Sequence, residues 1–242
     1  MNRVLGWSAL FTAAAATAWF ATAALPWPAR AFTVFLAVPL PALAVLQLRT
    51  LAGLDLAEMP RLPIYLSSAV TLWLLAIISV LAAQYSDFTP GLLGFRMVSW
   101  PIFVAWMVVG MGGALLLFAI GKLLGKEESP LLLQLLPRSR RERAAFVGLS
   151  LTAGICEEIV FRGFLIAALT VSTGSIAAAV ALSSSLFGVL HAYQSVFGTL
   201  RATLLGAALA LPFVLAGSIL PGIAAHAAID IIGGLWVLRR AA

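Results

Sequence analysis

Apolar residues run for about twenty positions at a time along most of this chain, interrupted by short clusters of charge, proline or glycine rather than alternating with polar residues. A transmembrane helix needs roughly 20 such residues. The pattern predicts eight helical segments: Val4–Ala24, Ala31–Leu48, Ile64–Gln84, Pro101–Gly121, Ala144–Thr170, Ile176–Tyr193, Leu200–Ala216 and Ser218–Leu238. All are expected to be helices, because backbone exposed to lipid must satisfy its hydrogen bonds internally and no barrel-type alternation is present. Pro39 and Pro41 predict a kink in the second segment. The short apolar piece Leu131–Leu136, between charged stretches, is expected at a membrane interface. The first run, from Val4 to Ala24, resembles a signal peptide, but it is long for an apolar core of about 7–15 residues, so a retained helix is expected.

Composition points the same way. Of 242 residues, 62% are hydrophobic and only 10% charged, and the mean hydropathy is +1.07. Soluble domains carry about 25% charged residues, so lipid is the expected solvent. The fold expected is an all-α polytopic transmembrane bundle of about eight spans, with its catalytic residues within the membrane on the later helices. It is read as one integral domain, residues 1–242, in which 1–137 carry no motif and 138–238 form the chemical core.

The net charge of +6 does not indicate nucleic acid, since the basic residues lie in gaps between apolar runs and not on one soluble face. It indicates topology and anionic headgroups. With the N-terminus in the cytoplasm, the inner side receives Arg3, Arg49, Arg61, Lys122, Lys126, Arg138, Arg140, Arg141, Arg143, Arg239 and Arg240, and the outer side only Arg30 and Arg96. The expected location is the cell membrane, multi-pass, with both termini cytoplasmic and Lys122–Arg143 as the main inner loop. Arg201 is expected to snorkel toward the interface.

A small set of ionisable residues falls inside the apolar segments: Glu157, Glu158, Arg162, His191, His226 and Asp230. A charge at a helix centre costs roughly 2.5–3.5 kcal/mol on insertion scales, so each needs a reason. Both histidines of the protein are in this set. Glu158 and Arg162 are spaced i,i+4 with the acid first, which favours an ion pair of structural value. Glu157 lies about 100° round the helix and faces a different neighbour. His226 and Asp230 also share a face, so the carboxylate can orient the imidazole. Phe187 and His191 share another, which sets an aromatic wall beside a base. Cys156 reads as a small apolar filler, and Ser183–Ser185 with Gly110, Gly112 and Gly113 as close-packing positions.

Absent motifs narrow the chemistry. There is no His-Glu-x-x-His, no Gly-x-Ser-x-Gly and no pair of acids in the last three segments. What remains is a glutamate–histidine site suited to activating water.

The stretch Glu157-Glu158-Ile-Val-Phe-Arg162 resembles the first motif of the CPBP family of intramembrane proteases, the CAAX-protease and bacteriocin-processing enzymes also called ABI or Rce1-like. Phe187 with His191 matches that family's Phe-x-x-x-His, and His226 with Asp230 its His-x-x-x-Asn/Asp. The three occur in order on separate segments, over roughly Arg138–Leu238. The resemblance implies a membrane-anchored protein or peptide as substrate, with a peptide bond hydrolysed by glutamate/histidine-activated water. Glu157 helped by His191 would act as base, His226 with residue 230 would stabilise the oxyanion, and Glu158, Arg162 and Phe187 would support them. Asp230 departs from the asparagine typical of eukaryotic and archaeal members. An ionised carboxylate cannot donate to an oxyanion, so either Asp230 is protonated in its low-dielectric site or it holds His226 as the donor, and the second is expected. No cofactor is expected; the alternative is zinc on Glu157, His191 and His226. Two other classes compete with the enzyme: a regulator or immunity protein binding a membrane partner, and a proton-coupled transporter, which the lack of an inverted repeat disfavours.

Overall fold

The computed structural model describes residues 2–51 and 60–237. Eleven α-helices follow one another among these residues, with no strand. They are α1 (Asn2–Ala21), α2 (Trp27–Ala37), α3 (Pro39–Leu51), α4 (Arg61–Gln84), α5 (Trp100–Leu123), α6 (Pro130–Leu135), α7 (Arg140–Glu157), α8 (Ile166–Thr173), α9 (Ile176–Leu190), α10 (Ser195–Ala216) and α11 (Leu220–Ile232). α7 passes without a break through a π-helical stretch, Glu158–Leu165, into α8. Each predicted apolar segment corresponds to one helix or one pair of joined helices. Arg239, Arg240 and the last residue of the eighth segment, Leu238, lie outside the described residues.

Five helical stretches are long and apolar enough to cross a membrane: Trp27–Leu48, Arg61–Gln84, Trp100–Leu123, Arg140–Thr173 and Ala192–Ala216. Three shorter apolar helices accompany them, at Leu10–Ala21, Ile176–Leu190 and Leu220–Leu235. The chain is therefore an all-α, multi-pass membrane bundle.

Local chemistry sets the helix ends. The kink expected from Pro39 is a break at Val38, the residue between α2 and α3. Ser139 opens α7 with a capping box: its hydroxyl accepts from Glu142 N–H, while the Glu142 carboxylate accepts from the backbone N–H of Ser139 and of Arg138. Ser129 caps α6 and Ser175 caps α9. Gly174 and Gly217 close α8 and α10 in the left-handed conformation.

In lipid there is little hydrophobic drive between helices, so close backbone approach through small residues carries the packing. A Cβ added at Gly154 would stand 2.9 Å from Ala227 Cβ and 3.0 Å from Ile223 O, which locks α7 against α11. One at Gly110 would meet Ala225 Cβ at 3.0 Å, placing α5 on the other side of α11. Gly112, by contrast, faces open space. The buried core runs from Leu25, Phe32 and Leu36 through Ala83 and Leu93 to Phe164, Phe187 and Ile219, so the early and late helices share it.

The loop between α4 and α5 folds inward. Leu93 is buried, its carbonyl lies against Gly163 of the π stretch, and Gly94 O accepts from Ile219 N–H at 3.0 Å. On the opposite end of the bundle, Leu131–Leu135 forms most of α6. Arg61 Nε donates to Gln134 O at 2.8 Å, and Tyr65 donates its hydroxyl proton to Leu135 O. Arg201 does more than snorkel. It grips Glu128 with both terminal nitrogens and stacks over Phe118 at 4.6 Å, tying α10 to the segment before α6.

Candidate active site

The π-helical stretch after Glu157 is the local feature from which the site is built. An extra residue per turn shifts the hydrogen-bonding to i,i+5, so Ile166 N–H reaches Phe161 O. The same carbonyl accepts from Ser183 Oγ at 2.8 Å, which pins the irregular turn to α9. Ser183 is thus a specific partner as well as a small packing residue.

Glu158 and Arg162 are both sealed off, at 0% and 2% exposure. Arg162 Nη1 stands 3.0 Å from Glu158 Oε1, as the i,i+4 spacing predicts. Arg162 Nη2 donates to Gly206 O at 3.2 Å, and its guanidinium lies 4.5 Å above the Phe187 ring. Phe187 is hemmed in on several sides, with His191 at 4.4 Å and His226 at 5.9 Å between ring centroids. A supporting aromatic at position 187 therefore joins three of the expected site residues.

His226 is where the elements converge. Its Nδ1 is 2.8 Å from Glu158 Oε1. A carboxylate only accepts, so Nδ1 carries the proton and donates it, which fixes the tautomer. On the other side of the ring, Nε2 is 3.6 Å from Glu157 Oε2 and 3.9 Å from Asp230 Oδ2. Two expectations change here. The contact that orients His226 comes from Glu158 and not from Asp230, which faces the opposite nitrogen. Glu157 and Glu158, adjacent in sequence and directed differently, reach the same imidazole from its two sides.

His191 ends α9. Its Nδ1 is 2.8 Å from the carbonyl of Phe187, so that nitrogen is the donor and Nε2 keeps a free lone pair. Both histidines are thus fixed through Nδ1. Exposure increases across the site: Glu158 is sealed, Glu157 is 15% exposed and Asp230 is 38% exposed. That gradient leads from a supporting layer sealed by protein to a face that protein leaves open.

Two glycines that the sequence pattern did not mark make room for this layer. A Cβ at Gly222 would stand 3.0 Å from Glu158 Oε2, and one at Gly206 would stand 3.4 Å from Arg162 Nη2 and 3.3 Å from Phe187. Neither carries a polar side chain, so nothing in the sequence distinguishes them from other packing glycines.

The two-histidine, one-glutamate zinc shell is not formed. Among the described residues no three His, Cys, Asp or Glu side chains are grouped so as to hold a metal ion. The apolar grooves of about 200 Å³ at Trp73 and Ile159, and about 590 Å³ at Trp27 and Tyr85, are lined by none of the site residues.

No curated protein and no solved structure matches the chain. Residues 140–232, from the start of α7 to the end of α11, do match a protein family, the type II CAAX prenyl endopeptidase Rce1-like family. That span contains every residue of the site just described, and over it the chain is similar to the Rce1-like family.

Proposed function

We propose that this protein is an intramembrane endopeptidase in which Glu157 activates water and His226 stabilises the tetrahedral intermediate formed on a peptide bond of a membrane-associated substrate. The observation that carries this reading is the position of His226, held from behind by Glu158 and facing Glu157 and Asp230 with Nε2.

The chemistry follows from those contacts. Glu157 takes a proton from water, and His191 Nε2, the free nitrogen of a ring fixed through Phe187 O, serves as the second acceptor in the same region. The water oxygen bonds to the carbonyl carbon, and charge moves to the carbonyl oxygen. His226, protonated at Nε2 as well as Nδ1, donates to that oxygen. Collapse of the intermediate restores the carbonyl and breaks the C–N bond, and the leaving amine takes the proton back. Arg162, Glu158 and Phe187 do not touch substrate; they hold the ring of His226 and the turn that bears Glu157.

Eight membrane spans with both termini cytoplasmic, within one integral domain, are the topology that goes with this reading. In that arrangement α9 descends to the inner side and ends at His191. Its following turn is tied to the inner loop by Ser129 Oγ, which donates to Tyr193 O at 2.7 Å. The site then opens toward the inner leaflet. The substrate class is a polypeptide anchored in or at the membrane; for the Rce1-like family the name specifies prenylated CAAX proteins.

The test is a comparison of protein N- and C-termini in membranes of cells carrying wild-type or Glu157→Ala protein. New termini that require Glu157 are expected. An identical set of termini, with the variant still folded and still retaining a membrane partner, would instead identify a non-enzymatic regulator or immunity protein.

A further inference from the structure

One stripe of α9 leads into the site. Ser183, Phe187 and His191 are spaced i,i+4,i+8, so they follow one another along a single face of that helix. Each makes its own contact. His191 Nδ1 donates to Phe187 O at 2.8 Å. The Phe187 ring carries the Arg162 guanidinium on its face and meets His226 edge-on, with centroids 5.9 Å apart. Ser183, one turn earlier, is buried and donates to Phe161 O at 2.8 Å.

Phe161 is thereby held at two points by the same stripe. Ser183 takes its carbonyl, and Phe187 meets its ring in a T-shaped contact at 5.3 Å. The residue after Phe161 is Arg162, and the residue three before it is Glu158, so both ends of the buried ion pair hang from this attachment. Other helical hydroxyls are used differently. Ser79, Thr170, Ser172 and Ser185 each donate to the carbonyl four residues back in their own helix. Ser183 instead crosses to the π-helical stretch, an irregularity that recurs at functional sites.

Magnitudes separate two roles for this bond. Hydrogen bonds between membrane helices contribute little to stability on average, and Phe161 O keeps its bond from Ile166 N–H without the serine. The fold therefore does not depend on Ser183. Rate is more sensitive, because a misplacement of about 1 Å can lower it about 10²-fold.

We propose that Ser183 is a positioning residue for the reaction, whose hydroxyl holds the turn that aims Glu158 at His226 Nδ1 and Glu157 at Nε2. It acts through the backbone of Phe161 and exchanges no proton with substrate. Its effect on rate rests on the hydrolase reading above; its effect on His226 does not.

The test uses full-length protein in liposomes of phosphatidylethanolamine and phosphatidylglycerol. The probe is a quenched fluorescent peptide spanning a terminus found to depend on Glu157. Ser183→Ala is expected to lower kcat about 10- to 100-fold with KM within about twofold. Ser79→Ala removes an equally buried hydroxyl, bonded to Leu75 O within α4, and is expected to keep wild-type kcat at a similar melting temperature. Ser183→Cys, nearly the same size with a weak S–H donor, is expected to fall between serine and alanine. A second readout is the solid-state ¹⁵N spectrum of histidine-labelled protein. The chain has two histidines, so it contains two imidazoles, assigned with His191→Gln. Ser183→Ala is expected to shift the ring nitrogens of His226, and Ser79→Ala to leave them in place. Wild-type kcat in Ser183→Ala would overturn the proposal, as would equal losses in Ser183→Ala and Ser79→Ala, an effect on KM alone, or His226 signals unmoved by Ser183→Ala. Glu157→Gln separates the two layers of inference. If it cleaves the peptide at the wild-type rate, the hydrolase reading has failed, and the His226 signals decide the role of Ser183. If it is inert while Ser183→Ala is fully active, only the role of Ser183 has failed.

Discussion

Glu158 Oε1 lies 2.8 Å from His226 Nδ1 and 3.0 Å from Arg162 Nη1, so one buried oxygen connects the guanidinium on its own helix to the imidazole on α11. The carboxylate thereby has two duties that the sequence motif joins without explaining. It neutralises a cation that has no access to solvent, and it sets which nitrogen of His226 is free for chemistry.

The two neighbouring acids should therefore fail differently. Glu157→Gln keeps the shape and removes the base, so cleavage is expected to vanish while the melting temperature in detergent stays near wild type. Glu158→Gln leaves Arg162 as a buried charge with only neutral partners, at a cost of about 3–5 kcal/mol. It also takes the anionic acceptor from His226, so both stability and turnover should fall. Equal melting temperatures for the two variants, with equal loss of activity, would show the roles to be wrongly divided.

Gly222 gives a test of the supporting layer that leaves every polar residue intact. A Cβ there would stand 3.0 Å from Glu158 Oε2 and 3.3 Å from Leu209 O, and a backbone carbonyl cannot step aside cheaply. Gly222→Ala should push the carboxylate off His226 and lower turnover by up to about 10²-fold, the scale associated with a 1 Å misplacement. Gly112→Ala is the matched control on α5, where a Cβ meets nothing within 4 Å. It should leave turnover unchanged and raise stability by up to about 1 kcal/mol through helix propensity. Full activity in Gly222→Ala would mean that the position of Glu158 is not critical.

Topology can be read with reporter fusions after Ala242 and within Lys122–Arg143. Both are expected to report the cytoplasm. The seating of α6 against Arg61 and Tyr65, and the Glu128–Arg201 pair, place this loop at the same end of the bundle as the turn after His191. An outside signal at either position would break the eight-span arrangement.

Much of this was legible in the sequence for a simple reason: in lipid, polarity is expensive, so the few polar residues in apolar runs stand out. Glu157, Glu158, Arg162, His191, His226 and Asp230 could be selected on cost alone, and the helices follow from run length. Pairings between helices were not legible. The i,i+4 rule linked His226 to Asp230, but the stronger contact to Nδ1 comes from Glu158 across a helix interface, and spacing along one helix carries no information about it. The π-helical turn was also hidden, because Glu158–Leu165 reads as ordinary helix and is fixed by a hydroxyl 22 residues away, at Ser183. Arg201 reads as an interfacial residue in sequence because its partner, Glu128, lies in a loop 73 residues earlier.

The remaining prediction concerns Asp230 and metal together. Asp230 Oδ2 faces His226 Nε2 at 3.9 Å, too far for a hydrogen bond, while Glu158 holds the other nitrogen. Asp230→Asn should therefore retain substantial activity, since the ring stays oriented and the new amide can donate to the oxyanion. His226→Ala should cost on the order of 10²–10³-fold in rate, the usual loss for an oxyanion donor. A zinc mechanism makes a different set of demands. Glu157, His191 and His226 would all be ligands, so each substitution would strip the ion, chelated wild type would be inactive, and added Zn²⁺ would restore it. The glutamate–histidine mechanism needs no ion and therefore predicts that strong chelators leave turnover intact. The decisive measurement is metal content of the purified protein alongside turnover before and after chelation. Stoichiometric zinc with chelator-sensitive, zinc-restored activity would require the glutamate–histidine mechanism to be abandoned.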